Sequence, residues 1–400
     1  MSRNPWKQNP QFESVAVAQA RARKVLPEPV YSSRIAGSER GQTADANTAA
    51  FAEIGLAPVA ADYTSSRRMN CTILGQELSL PVLISPAGMQ AMHPEGELAV
   101  ARAAASRGTV MGLSNFSSKP VEDVVAANPN TFFQVYWSGD RAMMQERLER
   151  AHAAGAQGLI ATTDWSFARG RDIGSPEVPN KIDLTTMLRF APKVIAKRRW
   201  WWEFAKRRQI PELTAPNFAP RGSAPPSFSQ AYAQYKAAPP LQWADVEWMA
   251  DIWKQLSGTP FMVKGVCRID DAKRAVDAGA DAISVSNHGG NNLDGTPATI
   301  RLVHGIAQEV GDQVTVLLDG GIRRGSDVVK ALAFGAKAVM IGRACLWGLG
   351  VNGQAGVENV LDILRDGIDS TLLGLGVSST DELTREHLIV PDGFHLRLGG

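Results

Sequence analysis

His288, followed by Gly289 and Gly290 in SNHGGNNLDGTPATI (286–300), sits in the densest cluster of chemically capable groups in the chain. Histidine is the natural proton acceptor near neutral pH, and adjacent glycines let backbone approach a ligand. Asp164 is a carboxylate able to orient and charge that imidazole. Taken singly, His288 reads equally well as a hydrogen-bonded structural residue. A second cluster, DGGIRRGSDVVKALAFGAKAVMIGR (319–343), sets Gly320, Gly321 and Gly342 beside Arg323 and Arg343. Loop amides and a helix N-terminus there would cradle a phosphate that guanidinium groups clamp. Ordinary turns with solvated arginines are the alternative, and two Gly-Arg turns disfavour it. Lys264 ends an apolar run, so it must be paired or face a cleft.

These residues need elements to position them. Short apolar runs lie at 82–86, 109–114, 132–136, 158–163, 261–265, 282–287, 314–319 and 338–342. Each lacks polar alternation, as a parallel strand buried on both faces does. Ala-rich amphipathic stretches at 96–107, 140–154, 270–277 and 325–334 read as helices, several ending in a glycine turn before the next strand. Eight strands alternating with helices predict an α/β fold, a (β/α)8 TIM barrel. A dinucleotide-binding sheet would need GxGxxG after the first strand, and ISPAGMQAMHPEG has none. In a barrel the strand C-terminal ends carry the site. They present Ser85, Ala87, Ser114, Gln134, Tyr136, Thr162, Asp164, Lys264, Ser286, His288, Asp319 and Arg343.

The chain of 400 residues carries 42 Lys+Arg against 40 Asp+Glu, a net charge of +2, which argues against a globally basic nucleic-acid binder. Three scattered cysteines with no CxxC predict neither a metal cage nor a disulfide framework, and suit a reducing cytoplasm. No signal peptide is read at the start, and no apolar run reaches the ~18 residues of a membrane span. The expected organisation is one barrel domain over 1–400, with an N-terminal helical segment over about 1–60. A Pro-rich, lid-like insertion over about 174–241 contains Lys197-Arg198-Arg199-Trp200-Trp201-Trp202. That patch would suit nucleic acid or a membrane. The near-neutral net charge favours an amphipathic lid helix or a subunit contact, leaving the catalytic face.

LPVLISPAGMQ, HPEGE, FFQVYW, VKGV and the two clusters above resemble the FMN-dependent α-hydroxy-acid oxidase and dehydrogenase family. The resemblance implies a barrel holding FMN. Ala87, Ser114, Gln134 and Thr162 would line the isoalloxazine ring, with Lys264 beside its N1 edge. Ser286, Asp319, Gly321, Arg323, Gly342 and Arg343 would hold ribityl and phosphate. His288 would be the base, Asp164 its support, and Tyr136 would face the substrate. A homo-oligomer is also expected.

Two departures bear on substrate. The family motif SNHGxRQLD carries a carboxylate-binding arginine where this chain has Asn291, and Ser33 replaces a carboxylate-binding tyrosine, although Tyr31 remains. Arg171, in ARGRD, is a candidate for a second substrate arginine. An anionic substrate would then find little compensating charge. The pattern, with the DWSF segment, is similar to a branch of the family that builds a peptide-derived redox cofactor. It implies oxidative deamination of a Val-Tyr-derived aminolactam to an α-keto lactam, with dioxygen the simplest acceptor. The alternatives are a 2-hydroxy-acid oxidase with a relocated clamp and a flavin-binding scaffold without turnover. Retained His288, Asp164, Lys264 and Tyr136 argue against the scaffold.

Overall fold

The structure is a computed structural model that describes residues 11–399 apart from 36, 62, 165–169, 176–178, 180, 181 and 221. Most of the DWSF segment therefore lies outside the described residues. The predicted runs form strands β1 (Val82–Ile84), β2 (Met111–Ser114), β3 (Thr131–Tyr136), β4 (Gly158–Thr162), β5 (Phe261–Val266), β6 (Ala282–Val285), β7 (Thr315–Asp319) and β8 (Ala338–Ile341). Each pairs in parallel with its sequence neighbour, and β8 returns to β1, closing the barrel. Side chains on these strands are buried almost throughout, which is why none alternates with polar residues.

Inside the barrel, Leu83, Phe132, Ile160, Met262, Leu317 and Met340 form one apolar cluster with Ile73 and Leu78. The last two come from a small hairpin, Cys71–Ile73 with Gln76–Leu78, which the sequence reading did not anticipate. Helices Gly96–Ser106, Arg141–Ala153, Ile269–Asp277 and Gly325–Ala333 occupy the predicted stretches within a residue or so at each end. Asp140 caps the second of these by accepting from the Met143 amide. The N-terminal segment forms helices Val15–Val25, Glu28–Ile35 and Gln42–Glu53. The first packs against the long C-terminal helical run Arg343–Leu375, which leaves helical geometry at Asn352 and Gly353.

The insertion carries helices of its own: Leu184–Ile195, Arg198–Ala205 and Phe228–Ala237. Of the two expected roles, lid helix or subunit contact, its Trp-rich part is placed away from the strand C-terminal ends. Trp200 and Phe204 are buried, and the Trp200 indole donates to the Met92 carbonyl at 2.8 Å. This helix borders a separate cavity with His93, Glu95 and residues 350–355. The reason is local: Trp200 and Phe204 stand four apart, on one helix face, and that face meets the body of the protein. Phe228–Ala237, started by a capping box of Ser227 and Gln230, is what approaches the barrel mouth.

Candidate active site

A cavity of about 460 Å³ opens at the C-terminal ends of the strands. Most of the anticipated residues line it, among them Ser33, Ser85, Ala87, Ser114, Tyr136, Arg171, Lys264, His288, Asn291, Asp319, Gly320, Gly321, Arg323, Gly342 and Arg343. Gln134, Thr162, Asp164 and Ser286 stand behind the wall. The Gln134 Oε1 accepts from the Ser114 hydroxyl at 2.9 Å. Ser286 Oγ accepts from Lys264 Nζ at 2.8 Å and donates to Asp319 Oδ1 at 2.8 Å.

His288 lies just beyond β6 in left-handed backbone, with φ 57°, an uncommon and strained setting for a non-glycine residue. Its Nδ1 is 3.0 Å from Asp164 Oδ1 and its Nε2 is 3.3 Å from the Tyr136 hydroxyl. Burial raises the Asp164 carboxyl, but the His288 imidazole and the Lys264 ammonium outweigh that and hold it below the usual carboxylate range. Asp164 then accepts from Nδ1–H, leaving Nε2 as the basic nitrogen. Burial, then Asp164 and Tyr235, pushes the Tyr136 phenol well above its ordinary value, so it stays protonated.

Asp164 reaches this position because β5 bulges. The β5–β6 register slips between Lys264 and Val266, and Gly265 between them has φ 116°. A Cβ on Gly265 would lie 2.5 Å from the Asp164 Cβ. Lys264 itself pairs with Asp319 at 3.1 Å, both side chains being buried. Burial lowers the Lys264 ammonium, yet Asp319 and Asp164 bring it above its usual value, so it is a fixed cation in the cavity wall.

At the opposite end, burial and then the charges of Arg323 and Arg171 push the Arg343 guanidinium down to about 10. Burial likewise lowers Arg323. Gly320 and Gly321 have φ of 99° and 88°, and a Cβ on Gly321 would fall 1.9 Å from the Asn47 carbonyl oxygen. That oxygen belongs to the helix Gln42–Glu53, whose part in the site the sequence did not signal. Asn47 and Asn287 exchange side-chain amide bonds at 2.8 and 2.9 Å. Asp294, from the same cluster as His288, accepts from the amides of Arg40, Gln42 and Thr43 and so caps that helix.

The substrate end departs from expectation. Arg171 lines the cavity and donates from Nη2 to Asn291 Oδ1 at 3.1 Å. The segment around it is tied to Glu39 by backbone bonds on either side. An anion there would therefore meet the Arg171 guanidinium, the candidate second substrate arginine. Ser33 spends its proton on the Val30 carbonyl at 2.7 Å and has none left to give a carboxylate. Phe228 and Tyr232, from the insertion, complete the wall with Phe116. Tyr235 packs on Tyr136 with ring centroids 5.1 Å apart. These aromatics and Arg34, which lines the cavity and donates to the Gly88 and Met89 carbonyls, were missed. The Ser227-x-x-Gln230 spacing was the available signal for the covering helix.

The FMN-dependent dehydrogenase profile matches residues 22–390, and the chain belongs to that family. Among its relatives, pre-mycofactocin synthase of Mycobacterium tuberculosis is 60% identical over 388 residues, covering 97% of both chains. The enzyme of that name from Mycolicibacterium smegmatis is 59% identical over 399 residues, covering 100% of this chain and 98% of its own. Glycolate oxidase 3 of Oryza sativa subsp. indica is 36% identical over 370 residues, covering 92% and 94%. The crystal structure of the monotopic membrane protein (S)-mandelate dehydrogenase superposes with a TM-score of 0.85 at 31% identity, covering 96% of this chain and all of the other.

Proposed function

We propose that this chain is an FMN-dependent oxidase that deaminates the aminolactam 3-amino-5-[(4-hydroxyphenyl)methyl]-4,4-dimethylpyrrolidin-2-one to its α-keto lactam, in mycofactocin biosynthesis. The observation that carries the substrate is Asn291. Its Oδ1 is engaged by Arg171, so its amide NH2 is the group left to donate to a neutral lactam carbonyl. The 60% identity to pre-mycofactocin synthase supports the same reading.

The residues present fit FMN. Thr162 Oγ1 and Gln134 Nε2 are buried without a hydrogen-bond partner, as expected of groups that await a polar ring edge. Arg323 and Arg343 are desolvated cations beside two positive-φ glycines, a setting for a phosphate dianion. Ala87, Ser114, Gln134, Thr162 and Lys264 would hold the ring; Ser286, Asp319, Gly321, Arg323, Gly342 and Arg343 would hold the ribityl phosphate. When bound, FMN supplies the two-electron acceptor.

The chain's own residues do the rest. His288 Nε2 takes a proton from the substrate ammonium, giving the neutral amine whose Cα–H can be oxidised. Asp164 stabilises the imidazolium that results. The Tyr136 hydroxyl, fixed as a donor, orients the amine. The substrate loses two electrons and two protons and becomes an imine; water adds to the imine carbon and ammonia leaves. Dioxygen is the proposed terminal acceptor, and a homo-oligomer the proposed assembly.

Arg171 keeps a second reading open, oxidation of a 2-hydroxy acid through a relocated carboxylate clamp. Anaerobic mixing of the purified protein with the aminolactam, L-lactate and glycolate, followed by flavin absorbance, separates the two. Rapid reduction by the lactam and negligible reduction by the acids is expected. Reduction by lactate with none by the lactam would overturn the proposal.

A further inference from the structure

The Trp-rich patch has no part in the cavity, yet it presents an unusual surface. Among the described residues, thirteen large apolar side chains stand exposed, and eight of them lie between positions 173 and 210. The helix Leu184–Ile195 buries none of its side chains. Leu184, Leu188 and Ile195 are 65–69% exposed, with Met187 beside them at 47%. Their spacing of i, i+3, i+4 and i+11 puts all four on one helix face. The next helix, Arg198–Ala205, turns Trp200 and Phe204 inward and leaves Trp201 and Trp202 outward.

The charge around this apolar face is one-sided. Residues 184–210 hold eight of the chain's 42 Lys+Arg and one of its 40 Asp+Glu, so they are strongly basic while the chain as a whole is near neutral. Lys193 pairs with Glu28, and Lys206 and Arg207 pair with Glu203. Lys197 reaches the carbonyls of Arg23 and Lys24, adding two more basic residues to the rim.

We propose that this face is an interfacial docking surface for an anionic lipid bilayer, with Leu184–Ile195 lying in the plane of the headgroups. An exposed apolar stripe edged by Lys and Arg, followed by outward tryptophans, is the composition that partitions into that boundary. The long basic side chains can bury their stems in lipid and keep their charges at phosphate level. The 12 residues of this helix extend about 18 Å, well short of a bilayer core, so the helix lies on the membrane and does not cross it. Among the described residues no helix is long and apolar enough to span. A second copy of the chain is a poorer occupant. A two-fold contact would press one basic patch onto another, and lysine is depleted from interface cores.

The test uses the full-length protein with its flavin, mixed with vesicles of phosphatidylglycerol-rich or pure phosphatidylcholine composition and sedimented at low and high salt. Binding to the anionic vesicles, weakened by salt, is expected. The triple variant Leu184→Ser, Leu188→Ser, Trp202→Ser should lower partitioning by at least about tenfold, with flavin absorbance and hydrodynamic mass unchanged. The charge reversals Arg198→Glu and Arg208→Glu should also release the protein, leaving the apolar face intact. Equal or no binding to the two vesicle types, or a triple variant that binds as well as the parent, would overturn the proposal. So would a triple variant of altered hydrodynamic mass, which would assign the face to contact between copies.

Discussion

The two ends of the cavity are assembled in different ways. The Arg323–Arg343 end is made by the turns after β7 and β8, and one helix, Gln42–Glu53, closes over it. The His288 end draws on β3, the segments after β4 and β6, and a helix from the insertion. The first holds two desolvated cations and suits an unvarying anion. The second holds the His288–Asp164 pair, the Arg171 guanidinium and an aromatic wall, and suits selection among substrates. A barrel can thus keep one end constant and rebuild the other by loop exchange alone.

The sharpest break between the ends should come from His288→Ala. It should lower the rate of flavin reduction by the aminolactam about 10²–10⁴-fold, while flavin content after purification stays the same. Loss of flavin instead would join the two ends into one functional unit. Arg323→Ala should do the reverse. Removing a buried cation from a phosphate weakens binding by about 2–5 kcal/mol, so the variant should purify depleted of FMN. Once reconstituted with added FMN, it should show the parent KM; full retention of flavin on dilution would remove Arg323 from the phosphate site.

Gly265→Ala sharpens the comparison within the catalytic end. The new methyl group collides with Asp164, and displacing a positioning group by about 1 Å can lower the rate about 10²-fold. Flavin content should hold and the acid limb of the kcat–pH profile should move. An unaltered profile would make Asp164 dispensable. The smallest effect is expected from Tyr232→Ala. Removal of one aromatic wall, about 1 kcal/mol, should raise KM for the lactam about fivefold with kcat little changed. Trp200→Ala, in the other half of the insertion, should lower Tm and leave KM alone.

The constant end and the His288–Asp164 pair were legible in the sequence; the aromatic wall and the cross-chain bonds of the variable end were not. Gly320, Gly321, Arg323 and Arg343 fall in one run of 25 residues, where glycine and arginine at turn positions have few other uses. The eight strands were equally plain, because double burial removes polar residues from short segments. Phe228, Tyr232 and Tyr235 lie in a Pro-rich stretch whose one local signal, Ser227-x-x-Gln230, marks a helix start and not a site, and their placement depends on how a long insertion folds back. Arg171 was named, but its bond to Asn291 spans 120 positions and has no local signature. Asn47 is harder still: it meets Asn287 across 240 positions, and a single asparagine on a helix looks like any polar surface residue.

That asparagine pair has a consequence for the order of assembly. Gln42–Glu53 leaves the ribosome early, yet its partners Asn287, Asp294, Thr299 and Gly321 are synthesised last but for the final strand and C-terminal helices. At translation rates of about 5–20 residues per second, the helix waits on the order of ten seconds or more. Its neighbour Val15–Val25 waits longer, for Arg343–Leu375. The anion-binding end is therefore the last part of the barrel to close. Nascent chains stalled before residue 287 should expose the helices Val15–Val25 and Gln42–Glu53 to protease, and chains stalled after the C-terminal helix has cleared the exit tunnel should protect them.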